Sequence, residues 1–297
     1  MRVFLTGATG FIGSAIIPEL ISAGHTVLGL ARSEAGANQL IAAGAEVHRG
    51  ELTDLESLRS GASITEAVIH CAFIHDFSKF EENCAIEKRA VEAMGAVLAG
   101  SGRPFIVTSG TAIAFTPGRL TTEDDAPNSP MPRTDSERLV DTFAEQGVRI
   151  SAIRLPQVHN TEKQGLVSYA IAVAREKGVS AYVGDGQNRW PAVHRLDAAP
   201  VYRLALEKGV AGARYNAVAE EGVTTKDIAE AIGRGLNLPV VSLAPEQAGA
   251  HFGWLAMFVG ADVPASSALT QERLGWRPTA SLPGMIEDLN HMKYAQA

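Results

Sequence analysis

Three glycines, Gly7, Gly10 and Gly13, stand near the start of this chain at the spacing G-x-x-G-x-x-G. An apolar run, Val3 to Leu5, precedes them, and a helix-spaced apolar set, Phe11, Ile12, Ile16, Ile17 and Leu20, follows. Strand, glycine turn and helix in that order suit the pyrophosphate of a dinucleotide. The first glycine permits a tight turn, the second lets backbone approach phosphate, and the third lets helix pack on strand. The helix start then offers free N–H groups and partial positive charge. A glycine triplet alone is a weak signal, since many are ordinary turns, so the flanking elements carry the inference. Gly7, Thr9, Gly10, Phe11, Ile12 and Gly13 are the expected phosphate-side residues.

The next chemistry lies after the second apolar run, Thr26 to Leu30. NAD-selective folds place an acid at this strand end, where it binds the ribose 2′-hydroxyl. Here the end reads Leu30-Ala31-Arg32-Ser33. Arg32 and Ser33 offer a guanidinium and a hydroxyl to a 2′-phosphate, which favours NADP, with NAD as the alternative. The plainer reading of Arg32 is a solvated surface residue. Glu51 and Leu52 are expected to flank the adenine.

Candidates for the reacting side follow later strands. Ser109 and Thr111 come after the apolar run Pro104 to Ser109; they either hold a substrate oxygen or only shape the turn. His75, next to Asp76, follows another strand end and is either a proton donor near neutral pH or a loop histidine. His159 is expected to face the space between two lobes, or to be a polar loop residue, and Tyr169 to lie in core or cleft. Packing is the expected role of Trp190 and a structural one that of His194. Phe252, Trp254, Met257 and Phe258 are either apolar substrate contacts or core. The His, Asp and Glu residues show no metal-binding spacing.

Elements that position these residues can be read from the alternation of apolar runs. Strands are expected at 26–30, 46–48, 67–71, 104–109, 149–155 and 213–219 besides the first. Helices are expected at 34–43, from 55, at 81–100, 133–146 and 165–177, and from Asp197. Residues 115–132 read as a surface loop. Such alternation predicts an α/β fold, a doubly wound parallel sheet of Rossmann type with a small C-terminal lobe. The expected division gives residues 1–156, with 191–219 returning, to the dinucleotide-binding part, and 157–190 with 220–297 to the small substrate-binding lobe. With 297 residues and 46% hydrophobic content the chain can bury a large core. A net charge of −7 without a Lys/Arg block argues against nucleic acid or anionic membrane as partners. Cys71 and Cys84 suit a reducing compartment. An apolar strand at residue 2, and no membrane-length apolar run, make the cytoplasm the expected location.

The succession of motifs resembles the extended short-chain dehydrogenase/reductase family, of the epimerase/dehydratase type. Thr6-Gly-Ala-Thr-Gly-Phe-Ile-Gly13 is similar to its TGxxGxxG. Glu51-Leu-Thr-Asp54 is similar to DLxD, and Val68-Ile-His-Cys-Ala72 to VIHxA. Arg154-Leu-Pro-Gln-Val158 resembles RLxxVYG, and Gly184-Asp-Gly186 with Val193-His-Arg-Leu-Asp197 resembles GDG…VHVxD. Leu274-Gly-Trp-Arg-Pro278 resembles LGWxP. The resemblance implies cofactor contacts at Cys71, Ala72 and Pro156, a small-molecule substrate between the lobes, and a possible homodimer. It also implies a Ser/Thr after strand five and a Tyr-x-x-x-Lys on the next helix, where lysine lowers the tyrosine pKa. This chain departs there. Aligning Ser129-Pro-Met-Pro-Arg133-Thr-Asp-Ser-Glu137 puts Arg133 at the Tyr position and Glu137 at the Lys position, and no tyrosine precedes Tyr169. Arginine does not donate a proton near neutral pH. The favoured expectation is that Arg133 and Glu137 pair with each other, four apart on one helix; a ribose or substrate contact is the other. The resulting expectation is an atypical NADP-dependent oxidoreductase. It would move hydride to or from a small carbonyl, alcohol or activated double bond, with His75, His159, Tyr169 or water in place of the tyrosine. An epimerase or dehydratase, and a non-catalytic dinucleotide sensor, are the alternatives.

Overall fold

The computed structural model describes residues 1–294. In chain order the strands and helices begin β1 (Arg2–Thr6), α1 (Gly13–Ser22), β2 (Thr26–Ala31), α2 (Glu34–Ala42), β3 (Glu46–Arg49), α3 (Leu55–Ser63), β4 (Ala67–His70), α4 (Phe80–Leu98), β5 (Pro104–Gly110), α5 (Thr134–Glu145) and β6 (Arg149–Leu155). They continue with β7 (Gln157–His159), α6 (Val167–Lys177), β8 (Ser180–Val183), β9 (Arg189–His194), α7 (Arg195–Lys208), β10 (Arg214–Asn216), β11 (Glu220–Thr224), α8 (Thr225–Leu236) and β12 (Val240–Leu243). The last four helices are α9 (Ala248–Phe252), α10 (Ala256–Val259), α11 (Ala268–Leu274) and α12 (Met285–His291).

Seven strands form the central sheet in the order β10-β6-β5-β4-β1-β2-β3, all parallel. Strands such as β1 and β4 are apolar at nearly every position because both sheet faces are covered. One face packs against α1, α2 and α7 through Ile16, Ile17, Leu20, Leu40, Val201 and Tyr202. The other packs against α3, α4 and α5 through Leu58, Val91, Met94, Leu98, Val140 and Phe143. The strand order turns back between β1 and β4, and the crevice above their carboxyl ends is where such sheets bind ligands.

The small lobe holds a separate apolar core, with Val167, Ile171, Trp190, Ile228, Leu255 and Leu289. Its strands form a three-stranded sheet, β11-β9-β7, and a pair, β12-β8. Strand β9 thus belongs to the small lobe's sheet, and the chain returns to the main sheet's face with α7 and enters that sheet with β10. The motif around Asp197 has a structural use. Its carboxylate accepts the Thr279 N–H at 3.1 and 3.0 Å, and the Trp276 indole donates to its carbonyl at 3.1 Å, which straps the C-terminal segment onto α7. Among the described residues no helix is long and apolar enough to cross a membrane.

Candidate functional site

The glycine turn forms the floor of the crevice. Gly7 has φ +69°, and a Cβ there would come within 2.7 Å of the Ala72 nitrogen, so the turn lies directly on the chain leaving β4. A Cβ on Gly13 would meet the Gly7 oxygen at 2.1 Å, so α1 reaches the strand only without a side chain. Gly10 N–H donates to Gly7 O at 2.9 Å and closes the turn. No side chain caps α1, and the N–H groups of Phe11, Ile12 and Gly13 have no partner among the described residues. Three free donors at a helix start are a cradle for phosphate, so these residues fit a dinucleotide.

At the end of β2, Arg32 is exposed and makes no ion pair among the described residues. Ser33 caps α2, its hydroxyl accepting the Gly36 N–H at 3.2 Å. Glu51 is exposed and accepts from Thr53 at 3.0 Å, while Leu52 rests against the core. Ala72 N–H points to Thr6 Oγ1 at 3.4 Å, and Pro156 sits between β6 and β7. Cys71 receives the Thr108 hydroxyl at 3.3 Å, and burial pushes its thiol up to about 11, so it stays protonated. Below it, His70 is wholly buried with Nδ1 2.7 Å from Thr6 Oγ1; burial, helped by the Arg133 charge, lowers its pKa to about 3.

The α5 side differs from the expectation of an Arg133–Glu137 pair. Arg133 instead forks onto Glu87 of α4, at 3.2 and 3.0 Å, and lies 4.3 Å over the Phe73 ring. Glu137 instead accepts from Arg154 of β6, at 3.0 and 2.5 Å, through one oxygen. Its other oxygen accepts the Ser109 hydroxyl. The physical reason is burial: the α5 residues face β5, β6 and α4, so their charges find partners across elements rather than along an exposed helix face. Arg154 is 0% and Glu137 1% exposed. Burial raises the Glu87 pKa, with Arg133 opposing.

The other candidates separate as well. Thr111 opens a short helical turn after β5, and its hydroxyl makes no hydrogen bond among the described residues, unlike that of Ser109. His159 does not face the space between the lobes: it is buried within the small lobe, with Nδ1 2.6 Å from Asp288 Oδ2 and Nε2 3.6 Å from Glu220. His194 caps α7, its Nδ1 accepting the Leu196 N–H at 3.2 Å. His75 is exposed on one edge, yet the surrounding bulk, then the charges of Arg133 and Lys163, push its pKa to about 4. It is neutral at pH 7 and holds no imidazolium proton to donate. Tyr169 projects from α6 toward the loop after β4, its hydroxyl 3.5 Å from the His75 carbonyl, and burial raises its pKa.

An aromatic bridge crosses from that loop to the small lobe. Phe77 stacks on Trp254 at 4.2 Å and 6°, and Tyr169 meets both edge-on, at 5.5 and 5.0 Å. Trp254 and Met257 are exposed and Phe252 is core. Trp190 is also buried, its indole donating to Phe258 O at 3.2 Å.

Sequence reasoning missed Glu87 and Tyr202. A phenol does reach the β4 and β5 ends, but from α7: Tyr202 is buried, 2.9 Å from Thr108 Oγ1. Two cations were also missed, Lys163 and Arg195, both against the Phe11 ring. Arg195 had a signal, since it stands where the resembled motif has valine.

The chain belongs to the NAD dependent epimerase/dehydratase family, whose sequence model matches residues 3–218. It is 51% identical over 95% of its length to an uncharacterised protein of Schizosaccharomyces pombe, covering 96% of that protein. It is 26% identical to a decarboxylating sterol-4-alpha-carboxylate 3-dehydrogenase of Dictyostelium discoideum, over 70% of this chain and 68% of that one. The fold matches a UDP-glucose 4-epimerase of Thermus thermophilus, solved with NAD, at a TM-score of 0.74 and 20% identity, covering 98% of each chain.

Proposed function

We propose that this chain is an NADP-dependent oxidoreductase acting on a small carbonyl, alcohol or activated double bond. The observation that carries it is the pairing of a free N–H cradle at α1 with an exposed arginine, Arg32, which has no carboxylate partner among the described residues and stands where NAD-selective folds carry an acid. The family name supports nicotinamide chemistry, and the sterol dehydrogenase relative is by its name an oxidoreductase. When bound, the nicotinamide supplies or accepts hydride. Thr111, with its free hydroxyl, holds the substrate oxygen, while Ser109 is engaged with Glu137 and serves the fold. Tyr169 or water delivers the proton, since His75 is neutral and His159 is enclosed. Arg32 gives the test: Arg32→Gln should weaken NADPH binding about tenfold, a change of about 1.4 kcal/mol, and leave NADH unchanged. Equal binding of NADH and NADPH by the native chain would sink the NADP assignment.

A second reading, a dinucleotide sensor without turnover, is favoured by one observation. Both positions expected for Tyr and Lys are locked in internal ion pairs, Arg133 with Glu87 and Glu137 with Arg154. Single-turnover mixing of NADPH with a panel of carbonyls separates the two. Lasting NADPH oxidation supports the reductase, and tight binding with none across the panel supports the sensor.

A further inference from the structure

Among the described residues some cations lie against carboxylates and others do not. Arg133, Arg154, Arg203 and Arg214 lie 3.0, 2.5, 2.6 and 2.6 Å from carboxylates. Lys163 and Arg195 make no ion pair among the described residues, although the chain carries a net charge of −7. Both converge on one side chain. Lys163 Nζ is 5.7 Å and the Arg195 guanidinium 5.1 Å from the centre of the Phe11 ring, inside the glycine turn. Arg195 also donates to Ser14 Oγ at 3.2 Å, and its Nε is buried without a partner among the described residues.

The scaffold holds these cations in place. Asn160 N–H donates to Lys163 O, and Lys163 N–H to Asn160 Oδ1, both at 2.9 Å. Gln164, fully buried, donates to Asn160 O at 2.6 Å and braces the same turn. Arg195 is the first residue of α7, set by the His194 cap. Two elements distant in sequence, the turn at 160–164 and the start of α7, thus bring two full positive charges to the start of α1, where the N–H groups of Phe11 and Ile12 have no partner among the described residues.

We propose that Lys163 and Arg195 form a cationic clamp on the pyrophosphate of the bound dinucleotide. Helix N–H groups carry only partial charge, so two phosphate charges remain to be balanced. Lys163 comes from the small lobe, and the clamp therefore ties that lobe to the main sheet when the ligand binds. The inference rests on dinucleotide binding but not on the choice between NADP and NAD, because both contain the pyrophosphate.

The test measures dissociation constants for NADPH, NADH and adenosine 2′-phosphate with Lys163→Gln, Arg195→Gln and Arg195→Lys. Each glutamine variant should weaken NADPH and NADH alike, by about tenfold, and leave adenosine 2′-phosphate unchanged, because that ligand lacks a pyrophosphate. Arg195→Lys should restore part of the loss, and raising the salt should cost the native chain more affinity than either glutamine variant. Binding of both dinucleotides within about twofold of native by Lys163→Gln, whose side chain is exposed and whose loss spares the fold, would overturn the clamp. A loss confined to NADPH would overturn it too. If Arg32→Gln has no effect while Lys163→Gln weakens both, the NADP reading falls and the clamp stands. If the native chain binds neither dinucleotide, both fall.

Discussion

Two regions along the carboxyl edge of one sheet carry arginines and use them in opposite ways. At α5, Arg133 and Glu137 are turned inward onto Glu87 and Arg154, and Ser109 is drawn into the same network. Across the crevice, Arg32, Lys163 and Arg195 have no carboxylate partner among the described residues. A buried cation without a partner is costly, so the first region must be internally neutral to fold. A solvated or half-buried cation tolerates being unpaired and keeps its field for an anion. The contrast separates charges that the fold itself consumes, beside α5, from charges that it leaves open, beside the glycine turn.

The hardest blow to that contrast is Glu137→Ala. It strands Arg154, which is 0% exposed, without its carboxylate. The loss of stability should be about 3–5 kcal/mol, read by urea unfolding. A loss below about 1 kcal/mol would mean that the α5 network is no more structural than an exposed ion pair. Arg133→Ala comes next, because it leaves the buried Glu87 alone and removes the contact with Phe73. We expect about 2 kcal/mol at neutral pH. Without the arginine, the raised Glu87 pKa rises further, so the native state holds a proton more tightly than the unfolded chain. Stability of this variant should therefore fall as pH increases from the ordinary carboxylate range toward neutrality, and acidification should narrow its deficit.

A smaller effect belongs to His70, between the two regions. Its folded pKa is depressed from 6.5 to about 3, so below pH 6.5 the unfolded chain takes up a proton that the buried ring refuses. The native protein should lose stability as pH falls through that window, by at most about 1.4 kcal/mol per unit from this residue. His70→Gln should flatten the slope between about pH 6.5 and 5, above most carboxylate titration; an unchanged slope would assign the acid sensitivity elsewhere. Smallest of all is the effect of Arg32→Gln on folding. Its thermal midpoint should correspond to less than about 0.5 kcal/mol of change, since nothing in the fold depends on an exposed, unpaired arginine.

The main sheet was legible because its strands are buried on both faces and read as apolar runs between helix patterns; Val3 to Leu5, Ala67 to His70 and Arg149 to Leu155 all fall where alternation puts them. The small lobe was less so. Strands β7, β8, β11 and β12 are three to five residues long, and their edges mix polar and apolar positions, too little for a period to show. The glycine turn was legible because its neighbours in space are its neighbours in sequence. The α5 network was not. Glu87 lies 46 residues before Arg133 and Arg154 17 residues after Glu137, and sequence pattern says nothing about contacts made by tertiary packing at that range. The same holds for Phe77 against Trp254, which only the meeting of the lobes creates.

Helix α12 carries a consequence for how the molecule comes into being. Its Asp288 closes on His159 of β7, and the N–H of its first residue, Met285, donates to Glu220 Oε2 at 2.8 Å. Met285 and Leu289 complete the small lobe's core. During synthesis, β1 to β6 can pair as they emerge, but the small lobe waits for a helix made more than a hundred residues after His159. Until then Lys163 has no fixed mount beside the glycine turn. The nascent chain is therefore expected to acquire its full grip on a dinucleotide only after α12 has been made.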